Sequence, residues 1–344
     1  MIARSPLRKS SLDKSDLTCH EGTIKVLITG MGSTTAISVA KGLRNQAELP
    51  VCIVGVDTHS ESEVAGACFC DRFYRIPRAD APGYIETLLD ICKSEEVRIL
   101  WPIVDLELEY VSQEAERFRH EGIAVWVSNH ETIMICNDKW RTFQFFRRHG
   151  IPTAMSWTKS GALEQADRLP FPLVVKPVKG VSSKDVFRVG CLDELEYAFR
   201  RVEEPIVQEM LKGQEYTIDV LCDYTGRALA AVPRIRLETR SGISYRGKTV
   251  RDEELIEAGM RIAGTLGIAG HCNIQCFKEG DSAARFLEIN PRFSGSLPLT
   301  IRAGLNSPLL TVLLSLGRQI PESMLQFQEN VVMLRYWEEH FVEQ

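Results

Sequence analysis

The chain has 344 residues, 44% of them apolar, with 41 Lys plus Arg against 46 Asp plus Glu and a formal charge of −5. That apolar share excludes a disordered chain, which could not bury enough surface to offset its ordering entropy. A mildly acidic chain without a basic run argues against nucleic acid as a partner. No apolar stretch reaches the ~18 residues of a membrane span, so no membrane partner is expected either.

Residues 1–22 are polar and basic, lack the apolar centre of a secretory signal, and read as a flexible tail. Ile24 to Gly30 predicts a buried strand ending in a turn, and Gly32 to Asn45 a helix with Ala36, Val39, Ala40 and Leu43 on one face. Val51 to Val56 is a second strand, ending at Asp57. A helix follows over Tyr84 to Glu95, a strand over Val97 to Pro102, a helix over Leu106 to His120 and a strand over Ile123 to Val127. Strands alternating with helices imply βαβ units and a parallel sheet. The cysteines stand singly and mostly in apolar runs (Cys52, Cys136, Cys191, Cys272), which predicts reduced thiols and a cytoplasmic protein.

Beyond residue 130 the pattern changes. Asn137 to His149 predicts a helix that Gly150 terminates, and Pro170 to Pro177 a proline-bracketed strand followed by a polar loop to Lys184. Leu192 to Arg201 is helical, and Ile206 to Glu209 is a strand. Glu215 to Cys222 and Ala228 to Arg236 predict antiparallel strands; Arg240 to Thr249 reads as a loop. Glu253 to Leu266 is helical, His271 to Phe277 and Ala284 to Asn290 form a hairpin, and helical patterning runs from Ser296 to Leu316. The fold class is therefore α/β, turning to α+β in the C-terminal part.

The hairpin carries the strongest site signal. Side chains alternate along a strand, so Asn273 and Gln275 share a face, as do Glu288 and Asn290, while Ile274, Cys276, Leu287 and Ile289 face a core. Were the two polar faces to coincide, Gln275, Glu288 and Asn290 would offer hard oxygen donors suited to Mg²⁺; the alternative is a hydrated polar face. Arg292 just beyond could stabilise a transferring phosphoryl group. Lys139 opens a helix, where backbone N–H groups already favour anions. Lys176 ends a buried strand, where an ammonium calls for an anion such as phosphate; solvated or ion-paired lysines are the alternatives. Gly180-Val181-Ser182-Ser183-Lys184 could close over phosphates or be an ordinary polar turn. The chain at Glu209 to Leu211 could frame an adenine through backbone groups, and Glu215 could accept from ribose hydroxyls, or both acids could be solvated. Arg234, Arg236, Arg240 and Arg246 suggest a carboxylate- or phosphate-binding lid, or a solvated basic hairpin. Gly30-Met31-Gly32 with Asp57 partly matches a dinucleotide fingerprint, with Thr34, Thr35 and Ala36 where a third glycine would stand.

In order and spacing these pieces resemble the ATP-grasp superfamily, its carbamoyl-phosphate-synthase-like and carboxylate–amine ligase members in particular. Asn137-Asp138-Lys139, Val175-Lys176-Pro177, Gly180 to Ser183, Val207-Gln208-Glu209, Gly213-Gln214-Glu215, Asn273-Ile274-Gln275 and Glu288 to Arg292 carry the likeness, with Asp105-Leu106-Glu107-Leu108 in the preceding domain. The resemblance implies a Rossmann-like pre-ATP-grasp domain over 23–130, a small lid subdomain over 131–205 and a large subdomain with the metal site over 206–344. Its cofactors would be ATP and Mg²⁺, with Mn²⁺ as a substitute. Lys139, Lys176, Ser182, Ser183, Glu209, Leu211 and Glu215 would bind ATP, Gln275, Glu288 and Asn290 the metal, and Arg292 the acyl phosphate. Gln275 departs from the family, where a carboxylate often stands. The implied activity is an ATP-dependent ligase joining a small carboxylate to an amine, in a chain expected to form a homodimer. Phosphorylation of bicarbonate or carbamate, an NAD-dependent oxidoreductase at Gly30 and Asp57, and a non-catalytic nucleotide-binding protein are the alternatives.

Overall fold

The computed structural model describes residues 22–180, 184–240 and 242–342. The N-terminal domain runs β1 (Ile24–Ile28), α1 (Thr34–Arg44), β2 (Val51–Asp57), β3 (Arg72–Arg75), α2 (Tyr84–Ser94), β4 (Ile99–Trp101), α3 (Asp105–His120) and β5 (Ala124–Val125). Its strands pair in parallel in the order β3-β2-β1-β4-β5. Apolar runs such as Val26, Leu27 and Ile28 are buried because helices cover both faces of such a sheet. Gly30, at φ +59, turns the chain from β1 towards α1; a Cβ there would lie 2.6 Å from Val104 Cγ2, so only glycine fits.

Two short helices follow, α4 (His130–Cys136) and α5 (Lys139–Arg148), where the sequence suggested one helix from Asn137. Asp138 ends the run by capping α5, accepting from Arg141 N at 2.9 Å. Next come β6 (Ser156–Thr158), α6 (Lys159–Glu164), β7 (Leu173–Pro177), β8 (Phe187–Val189), α7 (Leu192–Arg201) and β9 (Pro205–Glu209). These strands form a small antiparallel sheet in the order β6-β9-β7-β8, packed on α7 through Leu195, Ala198 and Phe199. The expected subdomain boundary at 205/206 is therefore corrected: β9 lies inside the small sheet, between β6 and β7.

The large antiparallel sheet contains β10 (Gln214–Cys222), β11 (Ala228–Arg240) and β12 (Ile243–Thr249); after α8 (Glu253–Leu266) come β13 (His271–Lys278) and β14 (Arg285–Asn290), and beyond α9 (Leu297–Arg302) and α10 (Ser307–Ser315) comes β15 (Val332–Leu334). The order is β14-β13-β10-β11-β12-β15. Strand β12 occupies the segment expected to be a loop; it is held between β11 and β15, with Ser244, Gly247 and Thr249 buried. One face of the sheet is apolar: Ile218, Val220, Ile274, Cys276 and Ile289 pack on Leu255, Ile262 and Ala263 of α8 and on Phe145 and Phe146 of α5. Helices α9 and α10 lean on α1, where Asn306 Nδ2 donates to Gly42 O at 2.9 Å, and so tie the large sheet to the N-terminal domain. Cys136, Cys191 and Cys272 are free thiols, whereas Cys52 is disulfide-bonded, against expectation. Among the described residues no helix is long and apolar enough to cross a membrane.

Candidate active site

The second face of the large sheet is polar. Cross-strand register places Gln275 opposite Glu288 and Asn273 opposite Asn290, so the hairpin turns its four polar residues one way. Thr217 pairs with Gln275 on one side and Arg234 on the other, and Asp219 pairs with Asn273, which extends this face across β10 and β11. A bulge between Gln275 and Cys276 leaves Leu287 without a direct partner while Phe286 stays in the core.

Along this face most charges are already matched. Asp219 is fully buried and accepts from Arg234, from Asn273 Nδ2 at 2.9 Å, from Ser294 Oγ at 3.1 Å and from Thr300 Oγ1 at 2.6 Å. Burial pushes its pKa up, but the Arg234 charge, His271 and the Thr300 hydroxyl hold it well below the usual carboxylate range. Arg234 also donates to Ser296, so it is a buried structural cation and not part of a lid, as the sequence had suggested. Arg236 bonds Glu215, and reaches Gln275 Oε1 at 3.1 Å and Gly242 O at 2.7 Å. Burial raises the Glu215 pKa more than Arg236 lowers it, and the Glu288 charge adds to the rise. Two expectations change accordingly: Gln275 has its amide oxygen engaged, and Glu215 is an ion-pair partner of Arg236.

Glu288 and Asn290 differ from these neighbours. Among the described residues neither side chain has a hydrogen-bond or ion-pair partner, so both keep their oxygen lone pairs for a ligand. The Glu288 charge is felt by Lys176, near the end of β7. Burial lowers the Lys176 pKa to about 8; the Glu288 charge works against that fall and Lys139 adds to it. Lys139 opens α5 with its Nζ 3.0 Å from Gly180 O, joining the helix start to the loop after β7. Lys139 and Glu288 thus both act electrostatically on Lys176. Ser182 and Ser183 lie outside the described residues.

Glu209 is used differently from the sequence expectation. Its carboxylate takes both arms of Arg285, with Oε1 at 2.6 Å from Nη1, and its backbone N–H donates to Met155 O at 2.8 Å. It therefore ties the small sheet to β14, and its N–H is not free for an adenine. Leu211 stands just past the end of β9, outside the ladder. Arg292 follows β14 and sits where Glu288 adds to its charge, yet its fork is taken by Asp105 of the N-terminal domain, at 2.7 and 2.8 Å. Sequence reasoning missed Asp105 as a partner. The dinucleotide alternative is also accounted for: Asp57 Oδ2 accepts from Gly32 N at 2.7 Å, Met31 N donates to Val56 O and Ser33 N to Gly30 O. The N–H groups that would bind a pyrophosphate are spent inside the turn.

Two antiparallel sheets, with a buried lysine in the small one and an unpartnered carboxylate in the large one, make an arrangement similar to that of grasp-type enzymes. The family described as ATP-grasp in the biosynthetic pathway with Ter operon matches residues 201–338, and the PylC-like N-terminal domain matches residues 26–126. Residues 201–338 thus match an ATP-grasp family model, and the chain as a whole resembles ATP-grasp enzymes. It is 23% identical over 283 residues to a carbamoyl-phosphate synthase of Methanobrevibacter smithii, covering 77% of this chain and 75% of that one. It is 24% identical over 182 residues to a D-alanine–D-alanine ligase of Francisella philomiragia, covering 49% of this chain and 61% of that one. In fold it is similar to the biotin carboxylase domain of Hydrogenobacter thermophilus 2-oxoglutarate carboxylase, solved with MgADP and bicarbonate: the TM-score is 0.73 at 17% identity, over 91% of this chain and 74% of that one.

Proposed function

We propose that this chain is an ATP-dependent carboxylate–amine ligase that works through an acyl phosphate. The observation that carries the reading is Glu288 itself: it is the acid of the polar face that lacks a guanidinium, and its charge reaches the buried Lys176 of the small sheet. Lys139 and Lys176 neutralise the phosphates of ATP. Glu288 and Asn290 hold Mg²⁺, with Mn²⁺ as a substitute, and Gln275 joins them only by releasing Arg236. The donor set fits, since one carboxylate and one amide leave room for water and phosphate oxygens around a hard cation. When bound, the metal would supply charge neutralisation at the phosphates of ATP.

A carboxylate oxygen of the acid attacks the γ-phosphorus as the bond to ADP breaks, giving an acyl phosphate. The amine then attacks the acyl carbon, phosphate leaves, and the amine gives up a proton. Arg292 meets the departing charge, so the protein mainly positions and neutralises. The likeness to a carbamoyl-phosphate synthase over 77% of the chain supports a second reading, with bicarbonate or carbamate as the acid. A homodimer and a cytoplasmic location complete the proposal.

An ADP-release screen over pairs of small carboxylates, bicarbonate included, and amines tests it. ADP release that requires both partners, and falls at least about 100-fold (~3 kcal/mol) in Glu288→Gln, supports the ligase. ADP release with bicarbonate alone selects the second reading. Mg-ATP binding without release to any pair would leave a nucleotide-binding protein and refute catalysis.

A further inference from the structure

The ion pair between Asp105 and Arg292 joins two domains at the reaction centre. Its partners are 187 residues apart, and each side chain keeps about a fifth of its surface exposed (19% and 20%). The carboxylate meets the Nε/Nη2 edge of the guanidinium with bonds of 2.7 and 2.8 Å, and Nη1 donates to Phe293 O at 3.0 Å. A two-bond fork of this kind fixes the plane of the guanidinium as well as its place. Three of its five N–H groups are used, leaving one on each terminal nitrogen for a ligand.

Asp105 is itself held. It is the first residue of α3, and two positions on, the buried Glu107 accepts from Thr29 Oγ1 and from Val104 N at 3.3 Å. Asn137 Nδ2 reaches Asp105 O at 3.4 Å from the other side. The carboxylate that grips Arg292 thus stands on a helix start anchored to the glycine turn after β1. A mere tie between domains would need no such anchoring.

We propose that Asp105 is a positioning residue: the N-terminal domain aims Arg292, through this fork, at the phosphate leaving the site around Glu288. The inference rests on the ligase reading. Catalytic groups must be placed to within about an ångström, and a misplacement of that size costs about 100-fold in rate.

The test compares wild type, D105N, D105S and D105E in the ADP-release assay, with thermal melts and with binding of a nonhydrolysable ATP analogue. In D105N and D105S, kcat falls about 10- to 100-fold, while analogue affinity stays within about twofold and the fold is kept. D105E, which keeps the charge, recovers part of the loss. An unchanged kcat in D105N beside an active wild type overturns this inference alone. A matching loss of nucleotide affinity, or a chain that unfolds with either small replacement, makes the pair a structural tie and overturns it as well. A wild type that releases no ADP refutes the ligase reading, and the inference falls with it.

Discussion

Replacing Lys176 tests the charge balance of the site most directly. Burial, with Lys139 adding to it and Glu288 opposing, takes its pKa from 10.5 to about 8, which corresponds to ~3 kcal/mol at about 1.4 kcal/mol for each tenfold. ATP phosphates beside the ammonium favour its charged form, so the bound pKa lies above the free one. Between pH 7 and pH 9 the protonated share of the free lysine falls about tenfold, and ATP affinity falls with it, by about tenfold. The sign is fixed by the proton: the binding-competent lysine is the charged one, abundant below pH 8. Folding goes the opposite way, because between pH 8 and 10.5 the unfolded lysine holds a proton that the folded one has lost, so this residue lets stability rise with pH there. Calorimetric titration with a nonhydrolysable ATP analogue at pH 7, 8 and 9 and fixed free Mg²⁺ reads the effect. Lys176→Met should bind weakly and with a flat pH profile. A wild-type dissociation constant that moves less than about twofold over that range refutes the reasoning.

Two further perturbations address the frame around the site. Asp219→Ala leaves Arg234 buried without its counter-charge and should cost about 3–5 kcal/mol, seen as a lower midpoint in denaturant; an unchanged midpoint would mean that Ser294 and Ser296 suffice. Glu107 is buried at the head of α3, and burial raises its pKa from 4.5 to about 7 despite the bond from Thr29. Below pH 4.5 it is protonated in both states and costs nothing; as pH rises through 7 the folded chain must carry a buried charge, losing up to about 3 kcal/mol. Melting temperatures at pH 5 and pH 8 should therefore differ less in Glu107→Gln than in wild type, and equal differences would remove Glu107 as the cause.

The parallel N-terminal sheet and the site hairpin were legible because both depend on local pattern. Val26 to Ile28 is an unbroken apolar run, as a strand covered on both faces must be, and Asn273, Gln275, Glu288 and Asn290 alternate with core residues. The segment Ile243–Thr249 was not legible, since its glycine, serine and arginine read as a loop; pairing with β11 and β15 makes it a strand and buries its small polar residues. Asp138 looked like a residue within a helix start, and its capping bond splits α4 from α5. Glu209 and Arg234 look from their neighbours like solvent-facing groups, and only the fold shows Arg285 and Asp219 closing on them. No spacing rule connects such pairs, because the residues lie 76 and 15 positions apart on different strands.

The distribution of guanidinium groups explains why Glu288 is the unpartnered acid of its face. A carboxylate drawn from water needs a counter-charge, and the fold provides one where the acid is structural: Arg234 for Asp219 and Arg236 for Glu215. Arg292 stands only four residues beyond Glu288, close enough for their charges to interact, yet it gives its fork to Asp105 in another domain. Had Arg292 closed on Glu288, the acid would be neutralised and its oxygens occupied, and the arginine would have no edge for a phosphate. Sending the arginine to Asp105 keeps both groups available. It leaves Glu288 and Asn290 without protein partners among the described residues, where a divalent cation and a triphosphate would together supply the charge that the fold withholds.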